Sequence, residues 1–129
     1  MKENQNLFRD LQEDFRKMKK NLLVAQSGGP TAAINATLAG VIKQAIKEEQ
    51  IDQVYGACYG IQGVLEQKFV NLTEKVDTEE KLEKLKRTPA AALGSCRFKL
   101  NDIKEDDSQY QEIVDILHKM NIGYFVYIG

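Results

Sequence analysis

The sequence is poor in the residues and patterns that mark exported, membrane-spanning and metal-binding proteins. It has two cysteines, one histidine and no tryptophan, and 18 lysines and arginines balance 19 aspartates and glutamates. The N-terminus has no apolar core, so it is not a secretory signal, and no later run could span a bilayer. The interspersed charges form no basic stripe of the kind that binds nucleic acid. We therefore expect a cytoplasmic protein with no membrane or nucleic-acid partner, in which Cys58 and Cys96 are free thiols.

Short apolar runs that end at glycine alternate with segments of helical periodicity. Such runs are typical of buried parallel strands, and helices between them connect the strands of one sheet. The fold class predicted is therefore α/β, with a three-layer, mostly parallel sheet flanked by helices. The predicted strands are 21–26, 54–60 and 123–129, and the predicted helices are 30–49, 78–88 and 108–120.

The chain divides into an N-terminal extension and the first part of a larger domain. Residues 1–20 are predicted to form an amphipathic helical extension, which packs on its own domain or on a partner chain; we favour the first. Residues 21–129 are predicted to be the start of an α/β domain. The last predicted strand runs into Gly129, whereas an α/β unit continues into a loop and a helix. We therefore expect the front portion of a larger protein, inactive by itself.

Two adjacent glycines stand between the first strand and the following helix, in "SGGP". Gly28 and Gly29 permit a positive φ and close approach of a ligand, and the helix start offers free N–H groups to an anion. Pro30 suits the first turn of that helix. The dinucleotide and P-loop patterns are both absent. The stretch therefore fits a phosphate cradle or a tight turn that merely required glycine.

An arginine follows another glycine turn, in "LGSCRFK". Arg97 could grip phosphate oxygens bidentately, or it could pair on the surface with an acid such as Asp102. We expect both glycine turns to lie at the ligand-binding edge of the sheet, which favours a polyphosphate. The single histidine, His118, has no cluster of metal-ligating residues around it in sequence, so a metal site there is not expected.

Three stretches together resemble the N-terminal part of phosphofructokinases. They are "SGGPTAAIN", the "GxxG" loop of Gly60 to Gly63, and "LGSCRF", followed by a strand that reaches the first glycine of the family's next loop at Gly129. The resemblance implies a phosphotransferase that acts on the 1-hydroxyl of fructose 6-phosphate in glycolysis. It also implies a homo-oligomer that uses Mg²⁺, with pyrophosphate or ATP as co-substrate.

The resemblance also implies roles for single residues. The matching positions that bind the phosphoryl donor are Gly28, Gly29, Arg97, Phe98 and Gly129. The catalytic base and the magnesium ligands are expected beyond Gly129. The residues from Pro30 to Ile34 replace the usual ATP-type pattern and resemble the pyrophosphate-using branch. Pyrophosphate is therefore the expected donor; the alternatives are an ATP-dependent enzyme and a catalytically silent module that binds phosphate or a partner.

Overall fold

Strand β1 (Lys20–Gln26) forms the centre of a four-stranded sheet in the computed structural model, which describes residues 2–26, 32–88, 91–94 and 107–128. The strand order is β3-β2-β1-β4. Strand β1 is parallel to β2 and to β4, and β3 is antiparallel to β2. The remaining elements are α1 (Lys2–Met18), α2 (Ala32–Lys47), β2 (Ile51–Ala57), α3 (Gly60–Leu65), β3 (Phe69–Asn71), α4 (Leu72–Lys75), α5 (Glu79–Lys86), α6 (Ser108–Lys119) and β4 (Ile122–Ile128).

Alternate residues of β1 pack into two separate cores, one on each face of the sheet. Leu22 and Val24 join side chains of α2, α4 and α5 on one face. Leu23 and Ala25 join Val64 of α3 on the other, with side chains of α6 packed alongside. Since successive side chains of a strand point to opposite faces, a strand that is apolar at every position must be covered on both sides. The predicted three-layer, mostly parallel architecture is confirmed.

Strand β3, which pairs antiparallel with β2 after the intervening helix α3, was not predicted. Strand β3 has only three residues, and all three are partly buried, so they show neither a buried run nor a clear alternation. The turn before it needs a left-handed residue, and Gln67 takes that conformation with φ of 56°. Helix α4 then starts at once, with the Asn71 side chain accepting a hydrogen bond from the Glu74 N–H.

Helix α1 has the predicted position but a different environment. Leu7, Phe8 and Leu11 are 58–63% exposed, and every described side chain from residue 6 to residue 14 is exposed. The expectation that this helix packs on its own domain is wrong for these side chains. Apolar residues at helical spacing show that a helix has an apolar face, but the spacing does not indicate which surface packs against that face.

None of the helices in the described ranges is long and apolar enough to cross a bilayer.

Helix α5 begins as its sequence predicts. Thr78 is the N-cap, its hydroxyl accepts a hydrogen bond from the Lys81 N–H at 3.2 Å, and Glu79 and Glu80 occupy the first turn. Thr78→Ala leaves that N–H without its side-chain acceptor, and we expect a loss of about 1 kcal/mol in the free energy of unfolding. Urea titration measures this loss. Thr78→Ser keeps the hydroxyl and should unfold as the wild type does; equal losses in the two variants would contradict the capping role.

Candidate functional site

Strands β1, β2 and β4 end at one level. Ala25 is opposite both Ala57 of β2 and Tyr127 of β4, and Gln26 is opposite Ile128. All three strands are parallel, so the segments that follow them leave from the same edge of the sheet. In open α/β sheets this carboxyl edge is where ligands bind. Two of the three stretches that carry the sequence resemblance directly follow strands of this group, the first after β1 and the "GxxG" loop after β2.

Two fully buried amides face each other at the end of β1. Gln26 is the last residue of β1, Asn35 lies in the first turns of α2, and both are 0% exposed. Gln26 Nε2 donates to Asn35 Oδ1 at 3.1 Å and to the Ile34 carbonyl at 3.3 Å. Burial of an amide is costly unless its polar atoms find partners. These hydrogen bonds therefore join the residues on either side of the double-glycine stretch, residue 26 before it and residues 34 and 35 after it.

The same two amides hold the segment that leads to the arginine. The Leu93 N–H donates to Gln26 Oε1 at 2.9 Å, and the Ala92 N–H donates to Asn35 Oδ1 at 2.8 Å. Asn35 Nδ2 also donates to the Thr88 carbonyl. Leu93 is itself buried, in the core under α2, α4 and α5. Residues 92–94, just before Arg97 in sequence, are thus fixed against the end of β1.

The "GxxG" loop between β2 and β3 contacts this segment from the other side. The Tyr59 N–H donates to the Leu93 carbonyl at 2.9 Å. Gly94 has φ of 76°, and a Cβ at that position would lie 2.7 Å from Tyr59 Cδ1. Glycine at 94 is therefore required both by the backbone conformation and by the ring that covers it. The loop after β2 and the segment before the arginine form one packed unit.

The "GxxG" stretch, predicted as a loop, lies in helix α3 (Gly60–Leu65), and each of its two glycines is explained by sterics. Gly60 follows Tyr59 into the left-handed region, with φ of 62° and 67° respectively. Gly63 lies so close to the backbone of Cys58 that an added Cβ would overlap with the Cys58 carbonyl oxygen. The Lys68 N–H in turn donates to the Gly63 carbonyl at 2.8 Å. The spacing of the motif thus allows the chain to fold back on itself directly after β2.

An exposed ion pair lies at the far end of this loop. Lys68 Nζ is 3.0 Å from Glu66 Oε2. The hydrogen bond from Lys68, with another from Gln62, holds the pKa of the Glu66 carboxyl below its ordinary value, and the same pair raises the pKa of Lys68. Because the folded-state pKa of Glu66 is lowered, whatever stability the pair adds is present above the unfolded pKa of a glutamate and is lost as the pH falls. Exposed pairs of this kind contribute little.

The predicted donor-binding residues and the described site are adjacent in sequence. Gly28, Gly29, Arg97, Phe98 and Gly129 all lie outside the described residues. The described residues that flank them do converge, as the buried amides and the "GxxG" loop show. Within the described ranges, no group of three or more His, Cys, Asp or Glu side chains could hold a metal ion.

Gln26 was not predicted from the sequence to be a site residue. Its signal is one amide at the end of the otherwise apolar run "NLLVAQ". A polar residue at the end of a strand ordinarily reaches solvent, whereas here the side chain is fully buried and bonded to Asn35 and Leu93. The partner from a segment 67 residues away cannot be read from local sequence.

Comparison with known proteins places this arrangement in a family. The phosphofructokinase family model matches residues 21–129. Among similar curated proteins are two with the name pyrophosphate–fructose 6-phosphate 1-phosphotransferase. The one from Rhodospirillum rubrum is 41% identical over 111 residues, and the one from Halomonas elongata is 39% identical over 110 residues. The matches cover 86% and 84% of this chain and 26% of each relative.

Solved structures show the same similarity. A pyrophosphate-dependent phosphofructokinase from Nitrosospira multiformis matches with a TM-score of 0.73 at 37% identity, over 84% of this chain and 26% of that one. Phosphofructokinase from Pichia pastoris matches with a TM-score of 0.66 at 16% identity, over 85% of this chain and 12% of that one, which shows a shared fold. The chain thus spans about a quarter of the length of the curated relatives. On the family match over residues 21–129, this chain is a member of the phosphofructokinase family.

Proposed function

We propose that the chain supplies the donor-binding part of an enzyme that transfers a phosphoryl group from pyrophosphate to the 1-hydroxyl of fructose 6-phosphate. The observation that carries this proposal is the junction of the "SGGP" flanks with the segment before Arg97, made by Gln26 and Asn35. The described residues beside two stretches that suit phosphate, which are distant from each other in sequence, thereby meet at the ligand edge of a parallel sheet. The names of the relatives, which specify pyrophosphate, support the choice of donor.

In this proposal, different residues of the chain make different contacts with pyrophosphate. Gly28 and Gly29 bring backbone N–H groups close to phosphate oxygens, at the start of helix α2, where the helix dipole favours an anion. Arg97 grips phosphate oxygens and offsets the charge that develops in the transition state, beside Phe98 and Gly129. The hydroxyl of fructose 6-phosphate loses its proton to a base outside this chain and attacks the terminal phosphoryl group of pyrophosphate. The bridging P–O bond breaks, and inorganic phosphate leaves. Magnesium, when bound, neutralises phosphate charge, and its ligands also lie outside this chain.

Further structure completes the site in this proposal. Strand β4 is an edge strand of the described sheet, and Tyr124, Phe125 and Tyr127 on it are 37–45% exposed. Such an edge invites further pairing and covering. The complete enzyme is proposed to be a cytoplasmic homo-oligomer of glycolysis, and the 129-residue chain alone is proposed to be inactive.

Two measurements test the proposal, one of activity and one of donor choice. For activity, residues 21–129 replace the matched quarter of the Rhodospirillum rubrum relative, and turnover of fructose 6-phosphate with pyrophosphate is followed. We expect turnover. A folded but inactive hybrid would favour the silent phosphate-binding module.

Donor choice is measured on the 129-residue chain itself, because the rest of the hybrid comes from a pyrophosphate-dependent relative. Calorimetric titration compares pyrophosphate with ATP. We expect pyrophosphate to bind more tightly, since the residues from Pro30 to Ile34 depart from the ATP-type pattern. Tighter binding of ATP would overturn the choice of donor.

A further inference from the structure

Gln26 and Asn35, which we call the amide clamp, are the two fully buried polar side chains in the described part of the chain. Both are fully buried, and a buried amide needs hydrogen-bond partners that an aliphatic side chain in its place would not need. None of the described buried side-chain polar atoms lacks a hydrogen-bond partner. The clamp is therefore a fully satisfied polar network, and such networks specify one arrangement of the groups that they join.

The orientation of both amides is fixed by the backbone groups that they meet. A backbone N–H can only donate, so the Leu93 N–H requires the Gln26 oxygen and the Ala92 N–H requires the Asn35 oxygen. The Gln26 nitrogen is then left to donate to Asn35 Oδ1, at 3.1 Å. A flip of either amide would set donor against donor at residue 92 or 93. The clamp thus accepts only one register of the 92–93 backbone against β1 and α2.

The clamp lies next to both proposed donor-binding segments. Gln26 immediately precedes Ser27 and the double glycine, and Arg97 is three residues beyond Gly94. An error of 1 Å in the placement of a catalytic group can cost a large factor in rate. We propose that Gln26 and Asn35 are positioning residues, which hold the arginine-bearing segment and the double-glycine turn in the register that pyrophosphate binding requires. This inference rests on the proposed function, and it assigns neither residue a direct contact with the donor.

A positioning role and a general stabilising role predict different patterns of hydrogen-exchange protection when the clamp is removed. If the clamp only stabilised the fold, its removal would lower the hydrogen-exchange protection of all core amides together. If it positions one segment, removal should open residues 92 and 93 and leave the centre of β1 protected. Each member also holds a different N–H, so the two variants should differ at these two residues.

The test uses Gln26→Leu and Asn35→Leu in the 129-residue chain, with Gln44→Leu as the control. Gln44 is on the exposed face of the helix that carries Asn35, and its side chain donates a hydrogen bond to the Glu48 side chain. We expect Gln26→Leu to lower the exchange protection of the Leu93 amide at least tenfold, and Asn35→Leu to do so at Ala92. The amides of Leu23 and Val24 should keep their protection in both variants, and Gln44→Leu should change none of the four.

Pyrophosphate affinity, measured by calorimetry on the same proteins, supplies the second reading. We expect about a tenfold loss for each clamp variant, equal to about 1.4 kcal/mol, and no change for Gln44→Leu. Equal loss of protection throughout β1 would make the clamp a general stabilising element and overturn the inference. Wild-type affinity in both clamp variants would overturn it too. If the wild-type chain itself fails to bind pyrophosphate, the proposed function fails, and local opening at residues 92 and 93 still decides whether the clamp positions that segment.

Discussion

Replacing Gly63 by alanine is expected to destabilise the chain by about 3 kcal/mol or more, because the new Cβ would overlap with the Cys58 carbonyl oxygen. The obstacle is backbone, so no side chain can rotate away to relieve it. Residue 63 is also tied on both sides: its N–H donates to the Tyr59 carbonyl, and its carbonyl accepts from the Lys68 N–H. The loop must therefore move as a whole, and its contact with Leu93 must move with it.

Urea titration of Gly63→Ala against Gly40→Ala separates this overlap from the general effect of adding a methyl group. Gly40 is helical and exposed in α2, and a Cβ there meets nothing within 4 Å. Since alanine is the better helix former, Gly40→Ala should raise the free energy of unfolding by roughly 0.5–1 kcal/mol. A Gly63→Ala variant as stable as the wild type would show that the loop can relax without cost, and the steric reading of the motif would be wrong.

Hydropathy and glycine placement were sufficient to predict the frame of the fold. The run "LLVA" is buried because it lies in an interior strand of the sheet. Its residues are apolar at every position, which correctly indicated that other elements pack on both faces of the sheet. The helix predicted from residue 78 does start there, with Thr78 as its N-cap and two glutamates in its first turn. These features succeed because each depends on a short stretch of chain, where the period of the side chains and the chemistry of the cap act locally.

The features that were missed depend on contacts between distant segments. Strand β3 forms because Asn71 and Phe69 pair with Tyr55 and Ala57 of β2. The three residues of β3 show no apolar pattern from which this pairing could be predicted. The buried position of Gln26 depends on the Leu93 N–H, which comes from a segment 67 residues away. The steric role of Gly63 likewise comes from the fold of the loop, although its spacing from Gly60 carried part of the resemblance to the family. The donor-binding roles of Gly28, Gly29, Arg97, Phe98 and Gly129 remain predictions.

Loss of the Arg97 guanidinium should reduce kcat of the hybrid enzyme about 100-fold while changing the KM for fructose 6-phosphate much less. A positive group aimed at charge that grows in the transition state acts mainly on the rate of the chemical step, and removal of one such group typically costs about 10²–10³ in kcat. The prediction is for Arg97→Ala in the hybrid that contains residues 21–129. Steady-state kinetics with pyrophosphate and fructose 6-phosphate, each varied in turn, provide both constants.

Arg87→Ala is the matched control, since it removes the same charge and the same side-chain length from an exposed position at the end of α5. It should leave kcat unchanged, and both variants should keep the circular dichroism of the parent hybrid. Arg97→Lys keeps the charge but not the bidentate fork, so we expect an intermediate kcat. If Arg97→Ala turns over as fast as the parent, Arg97 is a surface residue paired with an acid such as Asp102. The phosphate would then have to be held by the double-glycine turn and by residues outside this chain, with the amide clamp acting on that turn alone.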